Sequence, residues 1–352
     1  MIVKRGSLIL VSILFLLFFA LYGTLYVCFL GPSPSVRDRL TLSLLESSAA
    51  KFVPRLFMPS RQVDEIIALN SVIETTSTTD TSLIAVFAPQ PESAAAGADQ
   101  EPGDEGNVEE NDEWADYPGG VRIEHVKGGT YRAYVMLIRD PSRVYVATSS
   151  DFQSGKPGLK ILDAVKKEGA IAAVNGGGFP DVNGVGLGDV PLGLVFSKGE
   201  ILWGDESKVY SSVIGFDSNN ALIVGSFSAK TAKEIGMRDA LCFGPTLIVN
   251  GEPAQVMGLG GGLNPRSAIG QRGDGTVILL CVDGRMPSSM GASFSDLIEI
   301  MLDYGAVNAS NLDGGMSATL VYEGELVNIC SSLYGPRRIP TFFMVREQGY
   351  EG

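Results

Sequence analysis

The N-terminal stretch Ser7–Leu30 is an apolar run that contains no charged residue. As an α-helix it would be roughly 36 Å long, which is enough to cross the ~30 Å hydrocarbon core of a bilayer. A cleaved signal peptide has a shorter apolar region followed by small residues, and no such cleavage site is evident here. We therefore expect residues 7–30 to form an uncleaved, single-pass membrane anchor.

The residues on either side of this run set the expected orientation. Lys4 and Arg5 precede it and favour a cytoplasmic N-terminus, although Arg37 and Arg39 just beyond it weaken the argument. Residues 1–6 are too few to fold, so we interpret them as a cytoplasmic tail. The rest of the chain is then expected to lie outside the cytoplasm, held at the cell membrane.

Composition divides the chain between anchor and C-terminus into three predicted parts. Segment 89–118 contains ten Asp or Glu residues and no Lys or Arg, so most of the formal net charge of −13 belongs to it. We predict an acidic, disordered linker there, since such a composition buries too little apolar surface to offset chain entropy. Residues 31–88, with apolar residues at helical spacing, are predicted to be a helical stalk, and residues 119–347 a single domain. No basic patch with interleaved aromatic residues indicates a nucleic-acid partner.

The predicted domain is rich in short β-branched runs separated by glycine. Two amphipathic helices are predicted at 159–168 and 294–304. Strands are predicted at 131–138, 144–147, 171–174, 193–196, 213–216, 221–224, 246–249, 277–282, 306–311, 318–322 and 341–345. Many strands and few helices over about 230 residues favour one α+β or mixed α/β domain around a large mixed sheet.

Three predicted strands end in a polar residue followed closely by glycine. The polar residues are Asn175, Asp283 and the pair Asn311 and Asp313. Asp283 and Asp313 are thirty residues apart with a predicted helix between them, so a right-handed βαβ crossover would bring both to one edge of the sheet. A simple turn remains the alternative for each Asp-Gly taken alone.

The segment 258–270 is a glycine-rich stretch that contains Asn264 and Arg266. It matches neither a P-loop nor a dinucleotide-binding motif. We predict either an anion-holding loop, in which the Arg266 guanidinium contacts a phosphate or carboxylate, or an ordinary surface turn.

The single histidine, His125, excludes a multi-histidine zinc site and leaves acid–base chemistry to carboxylates. The cysteines show no CxxC spacing: Cys28 lies in the apolar run, and Cys242, Cys281 and Cys330 are expected to be free thiols rather than a disulfide framework.

Five ordered motifs, 175–179 (NGGGF), 243–247 (FGPTL), 264–266 (NPR), 282–285 (VDGR) and 311–317 (NLDGGMS), resemble the phosphodiester glycosidase family. The resemblance covers about 131–345 and implies hydrolysis of a sugar-1-phosphodiester at the anomeric C1–O bond, with an N-acetylglucosamine-like sugar. Met316 stands where the resemblance leads us to expect a third glycine.

On this resemblance we assign roles to eleven residues. Asp313 is the expected principal carboxylate and Asp283 the second. Arg266 and Arg285 are expected to hold the phosphate. The other expected substrate-binding residues are Asn175, Gly176, Gly177, Asn264, Asn311, Gly314 and Ser317.

The expected substrate is a phosphorylated glycan in a cell-envelope glycopolymer or glycolipid. The alternative is a non-catalytic envelope protein that binds phosphorylated glycan or supports exopolysaccharide assembly. No cofactor is predicted, and a divalent metal at Asp283 and Asp313 is left open.

Overall fold

The structure is a computed structural model that describes residues 2–75, 77–85, 113–149, 152–181, 184–332 and 334–349, with backbone alone for 2–6. The helices are α1 (Ile2–Leu30), α2 (Pro34–Leu45), α3 (Pro54–Phe57), α4 (Ser60–Leu69), α5 (Ile161–Glu168), α6 (Ala229–Glu234) and α7 (Phe294–Asp303). The strands are β1 (Val72–Ile73), β2 (Val121–Lys127), β3 (Arg132–Ile138), β4 (Val144–Thr148), β5 (Leu159–Lys160), β6 (Ala172–Asn175), β7 (Val195–Ser197), β8 (Glu200–Trp203), β9 (Val209–Asp217), β10 (Leu222–Ser228), β11 (Met237–Cys242), β12 (Thr246–Val249), β13 (Glu252–Pro253), β14 (Gln255–Val256), β15 (Arg266–Arg272), β16 (Val277–Val282), β17 (Ala306–Leu312), β18 (Leu320–Tyr322), β19 (Glu325–Leu326), β20 (Arg338–Ile339) and β21 (Thr341–Val345).

Three larger sheets of the described residues enclose one apolar core. Their strand orders are β13-β12-β17-β15-β16-β3-β2, β10-β9-β11-β7-β8 and β19-β18-β6-β21-β4. The core contains Leu279 from the first sheet, Phe216 from the second and Phe343 from the third, each fully buried. The expected mixed, sheet-rich fold with few helices is confirmed.

Helices cover the outer faces of these sheets. Leu297 and Met301 of α7 pack on the first sheet, and Ile161 and Val165 of α5 pack on the third. The amphipathic spacing that predicted both helices is the reason, because each presents one apolar face to a sheet. A capping box at Ser293 fixes the start of α7.

Strands β16 and β17 run parallel to each other, since both pair antiparallel with β15 between them. The predicted α7 crossover therefore joins two strands that end at the same edge of one sheet. This edge positions the site described below.

The sequence interpretation was wrong at β15, and among the longer strands it also missed β2, β8 and β11. The segment 258–270 was treated as a loop, but Arg266–Arg272 is a buried strand at the centre of the seven-stranded sheet. The polar residues of this segment do not follow the apolar pattern that predicts a buried strand. In the structure they find hydrogen-bond partners: the Gln271 side chain accepts from Leu222 N and donates to the carbonyl oxygens of Asn220 and Gly275.

The segment between α1 and residue 85 packs against the domain. Leu42, Val63 and Ile66 form a small apolar cluster with Phe29 of α1. Strand β1 pairs with β14, and Ala85 N donates to Gly273 O at 2.7 Å. The predicted stalk, 31–88, thus contributes to the same body as the sheets over its described part.

The remaining segment predictions meet the structure only in part. Residues 86–112, most of the predicted linker 89–118, lie outside the described residues. Among the described residues, Ser7–Leu30 of α1 is the one helix long and apolar enough to cross a membrane, a criterion that a signal sequence also meets. The division into tail, anchor, stalk, linker and domain stays a prediction.

Candidate active site

A cavity of about 460 Å³ lies where β6, β11, β15 and β17 begin or end. It is lined by residues from several strand ends and by two residues of the segment that follows α2. The lining residues include Glu46, Ser48, Gly178, Phe179, Asp181, Phe243, Gly244, Asn264, Arg266, Phe294, Arg285, Asn311, Asp313, Gly314, Gly315, Met316 and Arg337.

Asp313 directly follows β17 and places its carboxylate at this cavity. The side chain is only partly exposed. Burial raises its pKa to about 6, and the neighbouring Ser317 hydroxyl and the Arg337 guanidinium oppose that rise. Asp313 therefore titrates near neutral pH, as a carboxylate with a chemical role in a cleft often does.

A ring of cationic and amide groups lines the same cavity. Arg266 is 5% exposed and its guanidinium carbon lies 4.0 Å from the centroid of the Phe294 ring. It donates to the carbonyl oxygens of Ala292 and Gly262. The Arg285 Nη2 donates to the Asn264 Oδ1 at 3.1 Å. Burial lowers the pKa of both arginines, but each remains protonated at any physiological pH.

A carboxylate from outside the predicted domain occupies this basic ring. The Glu46 side chain accepts from Gly262 N at 3.1 Å, from Asn264 Nδ2 at 3.0 Å, and from Arg266 Nη2 at 2.7 Å. The Arg285 Nη2 also approaches the Glu46 carbonyl oxygen at 3.4 Å. A backbone amide, a side-chain amide and a guanidinium converging on one carboxylate constitute an anion-binding site.

A second carboxylate of the cavity is Asp181. Both of its oxygens accept from Arg337, each at 2.8 Å, and one also accepts from the Ser48 hydroxyl at 2.9 Å. Although burial raises its pKa, the hydrogen bonds from Arg337 and Gly186 N outweigh burial and leave the pKa below its ordinary value. The Arg337 guanidinium lies over the Phe179 ring at 4.9 Å.

Asn311 lines the cavity. Its Nδ2 donates to Gly244 O at 2.8 Å, while its buried Oδ1 has no hydrogen-bond partner among the described residues.

Asp283 does not line the cavity, in contrast to its predicted pairing with Asp313. Its carboxylate is 0% exposed and accepts from Ile329 N at 2.8 Å and from the Tyr134 hydroxyl at 3.3 Å. Burial raises its pKa. The topology brings both strand ends to one edge, but β16 lies one strand further from the cavity than β15. The Asp283 carboxylate is therefore hydrogen-bonded within the protein and does not reach the cavity.

Asn175 also lies behind the cavity. It is fully buried, its Oδ1 accepts from the Ser267 hydroxyl and Thr319 N, and its Nδ2 donates to the carbonyl oxygen of Asp313. Asp313 N in turn donates to Gly176 O at 3.1 Å. Asn175 thus joins two sheets and fixes the backbone of Asp313.

Close backbone packing explains the glycines that were predicted to contact substrate. A Cβ on Gly176 would lie 2.6 Å from the Thr341 hydroxyl, and one on Gly177 would lie 2.6 Å from Cys242 O. Neither lines the cavity, whereas Gly314 does, and its N donates to Asp313 Oδ1 at 3.0 Å. Ser317 is buried beside Asp313.

Several smaller expectations can be compared with the structure. His125 is exposed on β2, an edge strand. All four cysteines are free thiols. Met316, at the unexpected non-glycine position, follows Gly315, whose φ of 61° makes the turn, and lines the cavity. Within the described ranges, no group of three or more His, Cys, Asp or Glu side chains is arranged to hold a metal ion, and the metal and cofactor expectations stay predictions.

Residues 168–346 match the family model for phosphodiester glycosidases. This is half of the chain, and it includes every predicted site residue. The chain belongs to the phosphodiester glycosidase family. The resemblance drawn from the five motifs is confirmed.

Two curated relatives are similar to parts of this phosphodiester glycosidase. An uncharacterised SPbeta prophage-derived protein, YomE of Bacillus subtilis, is 29% identical over 198 residues, covering 54% of this chain and 29% of the relative. The bovine N-acetylglucosamine-1-phosphodiester α-N-acetylglucosaminidase is 36% identical over 91 residues, covering 24% of this chain and 17% of the relative. The chain thus spans less than a third of the length of either relative.

A solved structure shares the fold. The catalytic domain of the zebrafish N-acetylglucosamine-1-phosphodiester α-N-acetylglucosaminidase, auto-inhibited by its pro-peptide, superimposes with a TM-score of 0.53 at 21% identity. The match covers 65% of this chain and 82% of that domain.

The sequence did not indicate Glu46, Asp181 or Arg337 as site residues. Asp181 and Arg337 lie in loops 156 positions apart, and no motif links them. The run 175–181 that leads from β6 past Phe179 was the available signal for Asp181, because it continues the first motif by two residues.

Proposed function

We propose that this protein is a membrane-anchored hydrolase that removes an N-acetylglucosamine-like sugar from a sugar-1-phosphodiester. The observation that supports it most directly is the Asp313 carboxylate, with its raised pKa, in a cavity that also holds an anion-binding ring of Arg266, Arg285 and Asn264. A phosphodiester presents these two demands together: an anion to be held and an anomeric carbon that develops positive charge.

The proposed chemistry breaks the bond between the anomeric carbon and the phosphate oxygen. The bonding electron pair leaves with the phosphate monoester, which departs readily without a strong general acid. The Asp313 carboxylate stabilises the oxocarbenium-like carbon or attacks it, and a water supplies the new oxygen at the anomeric carbon, losing its proton to a carboxylate or to solvent. The products are free sugar and a phosphate monoester on the former acceptor.

For the second carboxylate, the geometry supports Asp181 instead of Asp283. Asp181 lines the cavity and its charge raises the pKa of Asp313, so the two carboxylates are electrostatically coupled. Its two hydrogen bonds from Arg337 keep it ionised. In this proposal Asp181 orients Arg337 beside the phosphate, and Asn311 holds a sugar hydroxyl.

We also propose that Glu46 occludes the anion site in the observed state. Its carboxylate takes the place at Arg266 and Asn264 where a substrate phosphate would bind. The auto-inhibition of the zebrafish catalytic domain by its pro-peptide supports a comparable arrangement here. Substrate would then compete with Glu46 for the same donors.

The proposed location is outside the cytoplasm, with α1 as the anchor and a cell-envelope glycopolymer or glycolipid as substrate. The length and apolar character of α1 support the anchor. Lys4 and Arg5, which precede it, support the orientation.

The deciding experiment measures release of sugar and of phosphate monoester from a synthetic α-N-acetylglucosamine-1-phosphodiester and from UDP-N-acetylglucosamine. It uses the full-length protein in detergent micelles beside its Asp313→Asn variant. Asp303→Asn, an exposed change of the same kind on α7, is the matched control. Turnover by wild type and control but not by Asp313→Asn is the expected result.

The alternative is a non-catalytic protein that binds phosphorylated glycan with the same arginine and amide groups. It predicts binding of the phosphodiester by wild type and Asp313→Asn alike, and turnover by neither. Calorimetric titration of both proteins with the phosphodiester therefore separates the two functions.

A further inference from the structure

The segment 51–57, which includes α3, carries two large apolar side chains that are exposed to solvent. Phe52 is 58% exposed and Leu56 is 71% exposed. Single exposed apolar residues are ordinary on a protein surface. These two lie four positions apart, and the exposed basic side chains of Lys51 and Arg55 alternate with them.

This segment lies directly against α1. The Phe57 ring packs on the Phe29 ring with centroids 5.0 Å apart and on the Tyr22 ring with centroids 5.7 Å apart. The contact therefore extends along about two turns of α1, from Tyr22 to Phe29.

The length of α1 gives the depth of this contact in a membrane. About twenty helical residues cross the ~30 Å hydrocarbon core, so a span that begins at Ser7 leaves the core near Tyr26. Tyr26 then lies at the far interface, the level at which aromatic residues of membrane proteins concentrate, and Tyr22 lies about one turn inside it. Since Phe57 contacts Tyr22 on one side of Tyr26 and Phe29 on the other, the segment 51–57 lies at this same level.

We infer that residues 51–57 are a membrane-docking element that inserts Phe52 and Leu56 into the lipid interface on the side of the membrane that bears the catalytic domain. Lys51 and Arg55 would reach the lipid phosphates, because long basic side chains extend from a shallowly buried backbone to the headgroups. Arg55 is also 3.5 Å from Asp64, an exposed pair that a lipid phosphate can replace. The partner is the lipid surface around α1, so this inference rests on the proposed anchor.

The chemistry of the segment favours lipid over a second protein. A protein-binding patch is typically an aromatic or aliphatic cluster in a shaped pocket with a polar rim. Here two apolar side chains are exposed, each next to a basic residue in the sequence. The segment that carries them packs against a candidate membrane span. Alternating apolar and basic side chains suit the lipid interface, where apolar acyl chains lie beneath anionic headgroups.

The test places tryptophan at the segment and measures its quenching by lipids brominated on the acyl chain. Full-length protein is reconstituted into nanodiscs that contain phosphatidylglycerol, as Phe52→Trp, as Leu56→Trp and as Tyr334→Trp. Tyr334 is 92% exposed on the catalytic domain and serves as the control. The signal of the wild-type protein, which has two tryptophans, is subtracted.

We expect brominated lipid to quench the added fluorescence at positions 52 and 56 at least twofold more strongly than at 334. Replacing phosphatidylglycerol with phosphatidylcholine should reduce the difference, and Lys51→Glu with Arg55→Glu should reduce it further. Quenching at 52 and 56 no greater than at 334 overturns the inference, and the second position guards against local misfolding of one variant.

Carbonate extraction of the same full-length protein from membranes provides the remaining control. If α1 does not hold the protein in the bilayer, the docking inference fails with the anchor. The turnover assay with Asp313→Asn is independent of both, so failure of the docking element and failure of the proposed hydrolase give different results.

Discussion

The Glu46 carboxylate lies 2.7 Å from the Arg266 guanidinium and brings a negative charge from the end of α2 into the cavity of the sheet domain. The same carboxylate accepts hydrogen bonds from Gly262 N and Asn264 Nδ2. One side chain therefore couples the N-terminal helices to the candidate catalytic site.

Glu46→Gln is expected to increase kcat/KM for a sugar-1-phosphodiester about tenfold. The amide keeps the side-chain volume but removes the charge that competes with substrate phosphate for Arg266, and a charge-assisted contact of this kind contributes about 1.5–3 kcal/mol. Glu65→Gln, the same change on an exposed part of α4, is the control. A fall in kcat/KM for Glu46→Gln alone would show that Glu46 positions Arg266 for substrate instead of excluding it.

The activity should fall below pH 6. Burial raises the pKa of Asp313 to about 6, and the proposed chemistry needs the ionised carboxylate. A group with this pKa is mostly ionised at pH 7 and mostly protonated at pH 5, so kcat/KM is expected to drop about tenfold between them. The measurement is a pH profile with circular dichroism at each pH. A profile that stays flat to pH 4.5 would rule out Asp313 as the ionised group.

Asp313→Asn is expected to stabilise the protein at pH 7.5. The pKa of Asp313 in the folded state, about 6, is higher than its ordinary value of 3.8, so the folded state binds more protons than the unfolded state between these values and stability falls as pH rises through that window. Removing the charge restores up to about 3 kcal/mol of unfolding free energy at pH 7.5 and almost none at pH 3.5. Thermal unfolding of both proteins at the two pH values checks this, with Asp303→Asn as the exposed control.

Asp181→Asn and Asp283→Asn should differ in their effect on turnover. Asp181 lines the cavity and holds Arg337 through two hydrogen bonds, so its amide variant is expected to lose at least tenfold in kcat/KM. Asp283 lies behind the cavity, so kcat per folded molecule should stay within about threefold of wild type. Active-site titration corrects both values for the folded fraction. The reverse order of effects would restore Asp283 as the second carboxylate.

Asn175→Ala is expected to lower the free energy of unfolding by about 2–4 kcal/mol. The change leaves the buried Ser267 hydroxyl and Thr319 N without their acceptor and releases the Asp313 backbone. Asn308→Ala is a matched structural control, because Asn308 is also fully buried but lies near the start of β17, away from Asp313. Asn175→Ala should lose kcat in addition, and an equal kcat in the two variants would contradict a positioning role for Asn175.

The sequence predicted most strands because β-branched runs bounded by glycine admit few other structures. It failed at β15, where Arg266, Ser267 and Gln271 are polar residues whose partners come from distant parts of the chain. Hydrophobic periodicity carries no information about such partners. The feature that identifies β15 as a strand is its pairing with β16 and β17 in the folded protein.

The candidate site was predictable where a strand end carries both the motif and the side chain. Asp313 and Asn311 fulfil this condition, whereas Asp283 follows a strand of the same pattern and turns inward to Tyr134 and Ile329 N. Local sequence cannot distinguish these two outcomes, because they depend on which strand borders the cavity. Glu46 could not be predicted as a site residue for a different reason, since helix α2 reaches the site only through tertiary packing.

The short path from α1 to Glu46 determines how such an enzyme would meet its substrate. Helix α2 rises about 18 Å, and the few residues between it and α1 add at most ~14 Å, so Glu46 lies within ~32 Å of the end of α1. Because these helices are also bonded to the sheet domain, the cavity would move with its anchor at one height. With the proposed membrane anchor, encounter would become a two-dimensional search by lateral diffusion, and on a long polymer attached to the same membrane only the linkages nearest the attachment point would come within reach.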